Sequence, residues 1–173
     1  MAGPHTLSET ELQVEQKLGG LPLDYTAMAV ASNLFRAANA VRNHFERTVL
    51  SEHNLSWTAF VVLWVTWIWE PIETRQIALE GGFSKATLTG VLSTLEGRGW
   101  LTRRKSETDG RLVIVTLTGA GRGLMTTLFP AFNQQEQHIA SPIGAEQRPE
   151  LAEMLRLVTA NVERQDLALR HQD

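Results

Sequence analysis

Residues 106–121 read SETDGRLVIVTLTGAG, and this stretch decides how the rest of the chain is arranged. A polar run ending in Asp109-Gly110-Arg111 separates two β-rich segments, WLTRRK (100–105) and RLVIVTL (111–117). Branched and aromatic residues on both sides of an Asp-Gly pair predict a hairpin with its reversal at Asp109-Gly110. A tight turn needs no more than those two residues. Arg111 is surplus to it and is expected to stand exposed at the tip of a stiff ribbon.

Upstream lies FSKATLTGVLSTLEGRGW (83–100). Ser84 is a good N-cap. Leu88, Val91, Leu92 and Leu95 follow at i, i+3, i+4 and i+7, which is one apolar stripe of a helix. The opposite side holds Ala86, Gly90, Ser93 and Gly97, flanked by Thr87, Thr89 and Thr94. A helix with so small an outer face can approach another surface closely. Before it, ETRQIALEGG (73–82) predicts a short helix stopped by Gly81-Gly82. Two helices joined through a glycine turn, then a hairpin, have the order of a helix-turn-helix with a wing.

Long helices flank this unit. From Asp24 to about Asn54, Val30, Leu34, Val41, Phe45 and Val49 keep one helical stripe. Ser56 caps WTAFVVLWVTWIW (57–69), which Pro71 terminates. After the ribbon Thr118 can cap a further helix, with a kink expected at Pro130. SPIGAEQRP (141–149) is a break, and the last helix carries Leu151, Leu155, Val158, Val162 and Leu169 on one stripe. Pro149 is tolerable in its first turn. At the other end, SETELQVEQKLGGLP (8–22) predicts a short helix with Ser8 and Glu11 at capping-box spacing, an arm outside the main body.

Composition narrows the function classes. With 173 residues, 43% of them hydrophobic, the chain can bury one core or two small lobes. It has no cysteine, which excludes disulfides, thiolate catalysis and cysteine zinc sites. The first residues show no basic segment leading into an apolar one, so no secretory signal is expected. The Trp-rich segment has 13 residues between Ser56 and Glu70, where a spanning helix needs about 20. A cytoplasmic protein with no membrane association is expected.

The net charge of −3 is unevenly distributed. Residues 1–74 carry −4, residues 75–111 carry +3 and residues 112–173 carry −2. A single basic segment inside an acidic chain suggests a local footprint for a polyanion.

The ribbon and its surroundings resemble the MarR family, the multiple-antibiotic-resistance type of winged helix-turn-helix transcriptional regulators. The family's wing pattern is Asp-x-Arg, three variable residues, Val-x-Leu-Thr, two more, then Gly. Here it stands as Asp109, Arg111, Val115, Leu117, Thr118 and Gly121, with every spacing kept. LTGVLSTLEGRGWLTR (88–103) resembles the family's recognition helix and its exit. The resemblance covers residues 24–173 and leaves the N-terminal arm outside.

The resemblance implies a mainly α fold, with a two-stranded β wing and long N- and C-terminal dimerisation helices. Residues 1–23 would be the arm, 24–54 and 118–173 the helical dimerisation region, and 55–117 the DNA-binding domain. It implies a homodimer on a pseudo-palindromic operator, acting as a repressor, with the recognition helix in the major groove and the wing tip in a flanking minor groove. Ser84, Lys85, Ala86, Thr87, Thr89, Gly90 and Thr94 match positions that face the groove. Gly90 and Thr94 stand where many relatives carry arginine, which places affinity on phosphates and DNA shape. Arg98, Arg103, Arg104 and Lys105 are expected phosphate neighbours. Arg111 is expected to enter the minor groove, oriented by Asp109.

Many family members also bind a small aromatic or anionic effector between the dimer helices and the DNA-binding lobe. Trp57 or Trp64 could line such a pocket, with Arg36 or His44 steadying an anion. Three alternatives remain. A metal-responsive regulator of the same fold would need a set such as His44, Glu46 and His138. A winged-helix interaction module without DNA binding would leave the basic wing unexplained. Catalysis lacks support: His5, His44, His53, His138 and His171 are scattered, with no zinc spacing, phosphate loop or serine elbow, and no cofactor is expected.

Overall fold

Several helices start on a side chain that accepts a hydrogen bond from one of the orphan amides of the helix N-terminus. In the computed structural model, which describes residues 5–170, Asp24 accepts from the Ala27 amide at 2.9 Å and opens α2 (Tyr25–Arg47). Ser56 accepts from Ala59 and opens α3 (Trp57–Trp69), and Ser84 accepts from Thr87 and opens α5 (Lys85–Gly97). Thr118 accepts from the Gly121 amide at 3.0 Å at the start of α6 (Gly119–Ala140). The remaining helices are α1 (Leu7–Leu18), α4 (Thr74–Gly81) and α7 (Arg148–Arg170).

Two sequence-based boundaries move. The arm's capping box is built from Thr6 and Glu9 rather than Ser8 and Glu11, so α1 begins earlier. It lies along α2, with Asn33 donating to Glu11 at 2.7 Å and the Tyr25 hydroxyl to the Leu18 carbonyl at 2.6 Å. The first long helix ends at Arg47, not near Asn54: the Thr48 amide closes it on the His44 and Phe45 carbonyls. A 3-10 turn (Ser51–His53) and a left-handed Asn54 (φ 50°) then fold the chain back, which buries both Leu50 and Leu55.

The wing is the expected two-stranded ribbon, and the sheet carries a third strand beyond it. β2 (Leu101–Lys105) and β3 (Val113–Leu117) form the antiparallel wing, with Leu101 opposite Leu117 and Lys105 opposite Val113. A two-residue β1 (Ile72–Glu73) pairs with the other edge of β3, Ile72 opposite Val115. Pro71 cannot continue α3, so Ile72 emerges extended and buries its side chain beneath the sheet. The wing is thereby anchored to the helix-turn-helix.

The chain divides into two compact units, 1–128 and 129–173. The core of the first contains Leu50, Val62, Leu63, Ile77, Leu92, Leu95, Leu101, Val115, Met125 and Leu128, each at most 2% exposed. Burial of such side chains contributes about 1.5–3 kcal/mol each. In the second unit, Phe129 stacks on Phe132, and α7 leaves Leu151, Met154, Leu155, Val158 and Val162 exposed. The side chain of Leu169, expected on that stripe, lies outside the described residues, as does His171. Pro130 sits inside α6, and the helix continues past it to Ala140.

Candidate nucleic-acid interface

Helix α5 is fixed by its inner face. Leu88, Leu92 and Leu95 are buried, which turns Lys85, Ala86, Thr87, Thr89, Gly90, Ser93 and Thr94 outward to solvent. Two of the outward hydroxyls already use their protons. Thr89 donates to the Lys85 carbonyl at 2.7 Å, and Thr94 to the Gly90 carbonyl at 3.1 Å. Their oxygens remain acceptors, and their methyl groups remain available for apolar contact. A Cβ added at Gly90 would meet nothing within 4 Å. No contact among the described residues requires glycine there, although glycine in a helix costs about 0.5–1 kcal/mol relative to alanine.

The wing tip differs in detail from the hairpin read in the sequence. Its loop spans residues 106–112, and β3 begins at Val113 rather than Arg111. The Leu112 amide donates to the Asp109 carbonyl at 2.9 Å, so the reversal is centred on Gly110 and Arg111. Arg111 is therefore part of the turn. Its Nε donates to Asp109 Oδ1 at 3.0 Å, its Nη2 to Oδ2 at 2.9 Å, and its backbone amide to Oδ1 at 3.0 Å. The side chain of Arg111 is nonetheless 90% exposed. These bonds hold the Asp109 carboxyl below the usual aspartate range and raise the guanidinium further.

Wing and recognition helix are locked by Glu96. It accepts from the Arg103 guanidinium at 2.6 and 3.0 Å and from the Arg103 amide at 3.0 Å, which lowers the Glu96 carboxyl from its usual value. The cleft between α4, α5 and the wing has a volume of about 510 Å³. Arg75, Lys85, Arg103 and Arg111 reach it over a floor that includes Leu88 and Leu92. Arg104 pairs with Glu107. Among the described residues no ion pair engages Lys85 or Lys105.

Arg98 stands apart from this group. It caps the far end of α5, where its Nη1 donates to the Asn54 carbonyl at 2.9 Å and its Nη2 to the His53 carbonyl at 3.0 Å. The guanidinium also lies 3.9 Å from the centre of the Trp100 ring.

The four residues proposed for an effector are not gathered around one described cavity. Arg36 lines a space of about 560 Å³ between α1 and α2, together with Glu11, Tyr25 and Asn33 but without His44, Trp57 or Trp64. Trp57 packs on Phe45 and Phe60 with ring centres 5.9 Å apart, and Phe45 meets His44 edge-on. Trp64 packs edge-on against Trp67. Glu46, one of the metal-ligand candidates, accepts from the Trp57 amide at 2.8 Å. Among the described residues no group of three or more His, Asp or Glu side chains could hold a metal ion.

Sequence reasoning missed two positioning residues. Glu70 accepts from the Leu117 amide at 2.6 Å and from Arg122 Nε at 2.7 Å, joining the end of α3 to the wing base and α6. Glu96 was missed as well, because neither residue lies in a periodic or motif position that marks its partner. The glycine of the wing pattern has a steric reason. A Cβ on Gly121 would overlap the Trp100 carbonyl oxygen.

The model of the MarR family matches residues 55–113. The chain is also 35% identical over 159 residues to the uncharacterized HTH-type transcriptional regulator YwaE of Bacillus subtilis, covering 90% of this chain and 93% of that protein. This chain belongs to the MarR family. The MarR match spans the helix-turn-helix and the wing loop, where Arg111 and the α5 face lie. The HTH-type regulator MgrA of Staphylococcus aureus is 25% identical over 126 residues, 73% of this chain and 82% of MgrA. A solved structure of Bordetella bronchiseptica BpsR, whose DNA binding is regulated by 6-hydroxynicotinic acid, superposes with a TM-score of 0.69. It is 26% identical and covers 75% of this chain and 98% of BpsR. As a MarR-family protein the chain is a transcriptional regulator and not an enzyme, of a family whose members bind DNA. Among the described residues no helix is long and apolar enough to cross a membrane.

Proposed function

We propose that the protein is a cytoplasmic, homodimeric repressor that binds a pseudo-palindromic operator. Residues 55–117 form the reading unit. Ser84, Lys85, Ala86, Thr87, Thr89, Gly90 and Thr94 of α5 enter the major groove, and Arg111 enters the adjacent minor groove. The observation that carries the reading is the Asp109–Arg111 clamp, which holds an almost fully exposed guanidinium in the turn of an anchored ribbon. A narrow minor groove concentrates negative potential and attracts such a group. Asp109, repelled by phosphate, orients Arg111 and stays off the DNA.

Residues 24–54 and 118–173 form the dimerisation region. The exposed apolar residues of α7 and the exposed Val30 of α2 support this, since contiguous apolar faces mark association surfaces. In the dimer two recognition helices would lie one DNA turn apart, roughly 34–36 Å. A small aromatic or anionic effector releases the operator by binding one conformation of the dimer better than the other. The regulation of BpsR by an aromatic acid supports that part; of Trp57, Trp64, His44 and Arg36, only Arg36 borders one of the two described cavities.

The experiment is a mobility shift on DNA from upstream of the protein's own gene, against random DNA, at several salt concentrations. Preferential, salt-sensitive binding by a dimer is expected. Equal weak binding to both DNAs removes that operator, and no binding even at low salt removes the proposal.

A further inference from the structure

We infer that Arg98 is a positioning residue that ties the C-terminal end of the recognition helix to the connection between α2 and α3. This rests on the reading of α5 as the recognition helix and goes beyond it, because a basic residue beside that helix would otherwise be assigned to a phosphate.

The tie has three parts. The left-handed Asn54 brings the His53 and Asn54 carbonyls to one side of the chain, where a single guanidinium spans both at 3.0 and 2.9 Å. The connection they belong to is stiff. Leu50 donates to Phe45, His53 and Leu55 donate to Leu50, and Leu50 is fully buried. On the helix side, α5 ends in a Schellman closure: Gly99, at φ 72°, donates to Glu96, and Trp100 donates to Leu95. That closure sets Trp100 where its ring lies under the guanidinium, 3.9 Å away. The same Trp100 offers its carbonyl to the Thr118 amide, against which Gly121 packs.

Arg98 therefore joins positions 44 and 45 residues apart in the chain and meets the junction from which α6 departs. Planarity is what the site uses. A guanidinium can stack on an indole face while its edge donates two parallel bonds, whereas a lysine ammonium can do only one of these well. With the tie in place, α5 keeps one angle to α2. Without it, the C-terminal half of α5 keeps Leu92, Leu95 and the Glu96–Arg103 pair but loses its link to the connection between α2 and α3.

The test compares wild type, Arg98→Ala, Arg98→Lys and Arg98→Gln on one probe, a duplex selected from a random-sequence library by the wild-type protein. Affinity is measured across salt concentrations, and hydrogen exchange follows the amides of residues 53–55 and 99–101. The expected result is about tenfold weaker binding for Arg98→Ala, with the slope of log affinity against log salt unchanged. Arg98→Lys should rescue little despite its charge, and exchange should rise at both segments. A lost phosphate contact gives the opposite pattern: Arg98→Ala and Arg98→Gln lower the slope by about 0.9, and Arg98→Lys restores it. That pattern overturns the inference while leaving DNA binding intact. Should Arg98→Ala fail to fold, the Lys and Gln variants carry the same comparison. If the wild type enriches no sequence, the DNA reading fails and this inference fails with it.

Discussion

Asp109 grips Arg111 along the full edge of its guanidinium, at 3.0 and 2.9 Å, while leaving that side chain 90% open to solvent. An exposed ion pair normally contributes little to stability. The clamp is better understood as fixing direction, since it limits the rotamers of a residue that folding does not need. Arg111→Ala is thus expected to weaken operator binding at least about tenfold, comparable to losing one specific contact, with no change in the unfolding midpoint. Binding by anisotropy and a thermal melt on the same sample check both halves.

The clamp also has a pH signature. The Asp109 carboxyl lies below its ordinary value because the Arg111 side chain, and then its amide, donate to it. A folded-state value below the unfolded one means the contribution is present above the ordinary aspartate range. It is lost only as pH falls through the lowered value. Glu96 behaves likewise through Arg103. Carboxyl chemical shifts followed by NMR should show both groups still ionised where an ordinary aspartate or glutamate takes up its proton, with wing amide shifts moving only in more acid solution. Titration of either group in its usual range would contradict the assignment.

Gly121→Ala tests the packing of α6 against the end of the recognition unit. The added Cβ would overlap the Trp100 carbonyl, a backbone atom, so the first turn of α6 must move. The expected cost is about 1–3 kcal/mol, as for other overpacked sites, read from denaturant unfolding.

Gly90→Ala should act in reverse. Nothing among the described residues opposes the new methyl group, so the fold should gain about 0.5–1 kcal/mol. DNA affinity should nevertheless fall, because the helix backbone can no longer approach the groove so closely. Raised stability with undiminished affinity would remove Gly90 from the interface.

Val158→Glu probes the proposed dimer. Val158 lies on the exposed apolar side of α7 with Leu151, Leu155 and Val162. A charge there should shift the protein toward monomer in sedimentation and abolish tight operator binding together.

Local signals made much of the fold legible. The caps at Ser56, Ser84 and Thr118 and the stripe Leu88, Leu92, Leu95 are written within a few residues of where they act. The wing motif named both members of its clamp. What escaped reading depends on partners distant in sequence. Ile72 looks like the approach to a helix until β3 offers its free edge. Arg98 looks like surface charge until the chain returns His53 and Asn54 beside it. The end of α2 at Arg47 is similarly set by the need to bury Leu50 and Leu55 together, and the continuing apolar stripe conceals it.

The most direct measurement is equilibrium binding of the wild-type protein and Arg111→Ala to a selected operator duplex and to its scrambled counterpart, at matched physiological salt. Wild type should prefer the operator by about a thousandfold or more, and Arg111→Ala should lose affinity for the operator while remaining folded. Equal binding of both duplexes by wild type, or unchanged operator affinity in the variant, would remove Arg111 and the wing from DNA recognition.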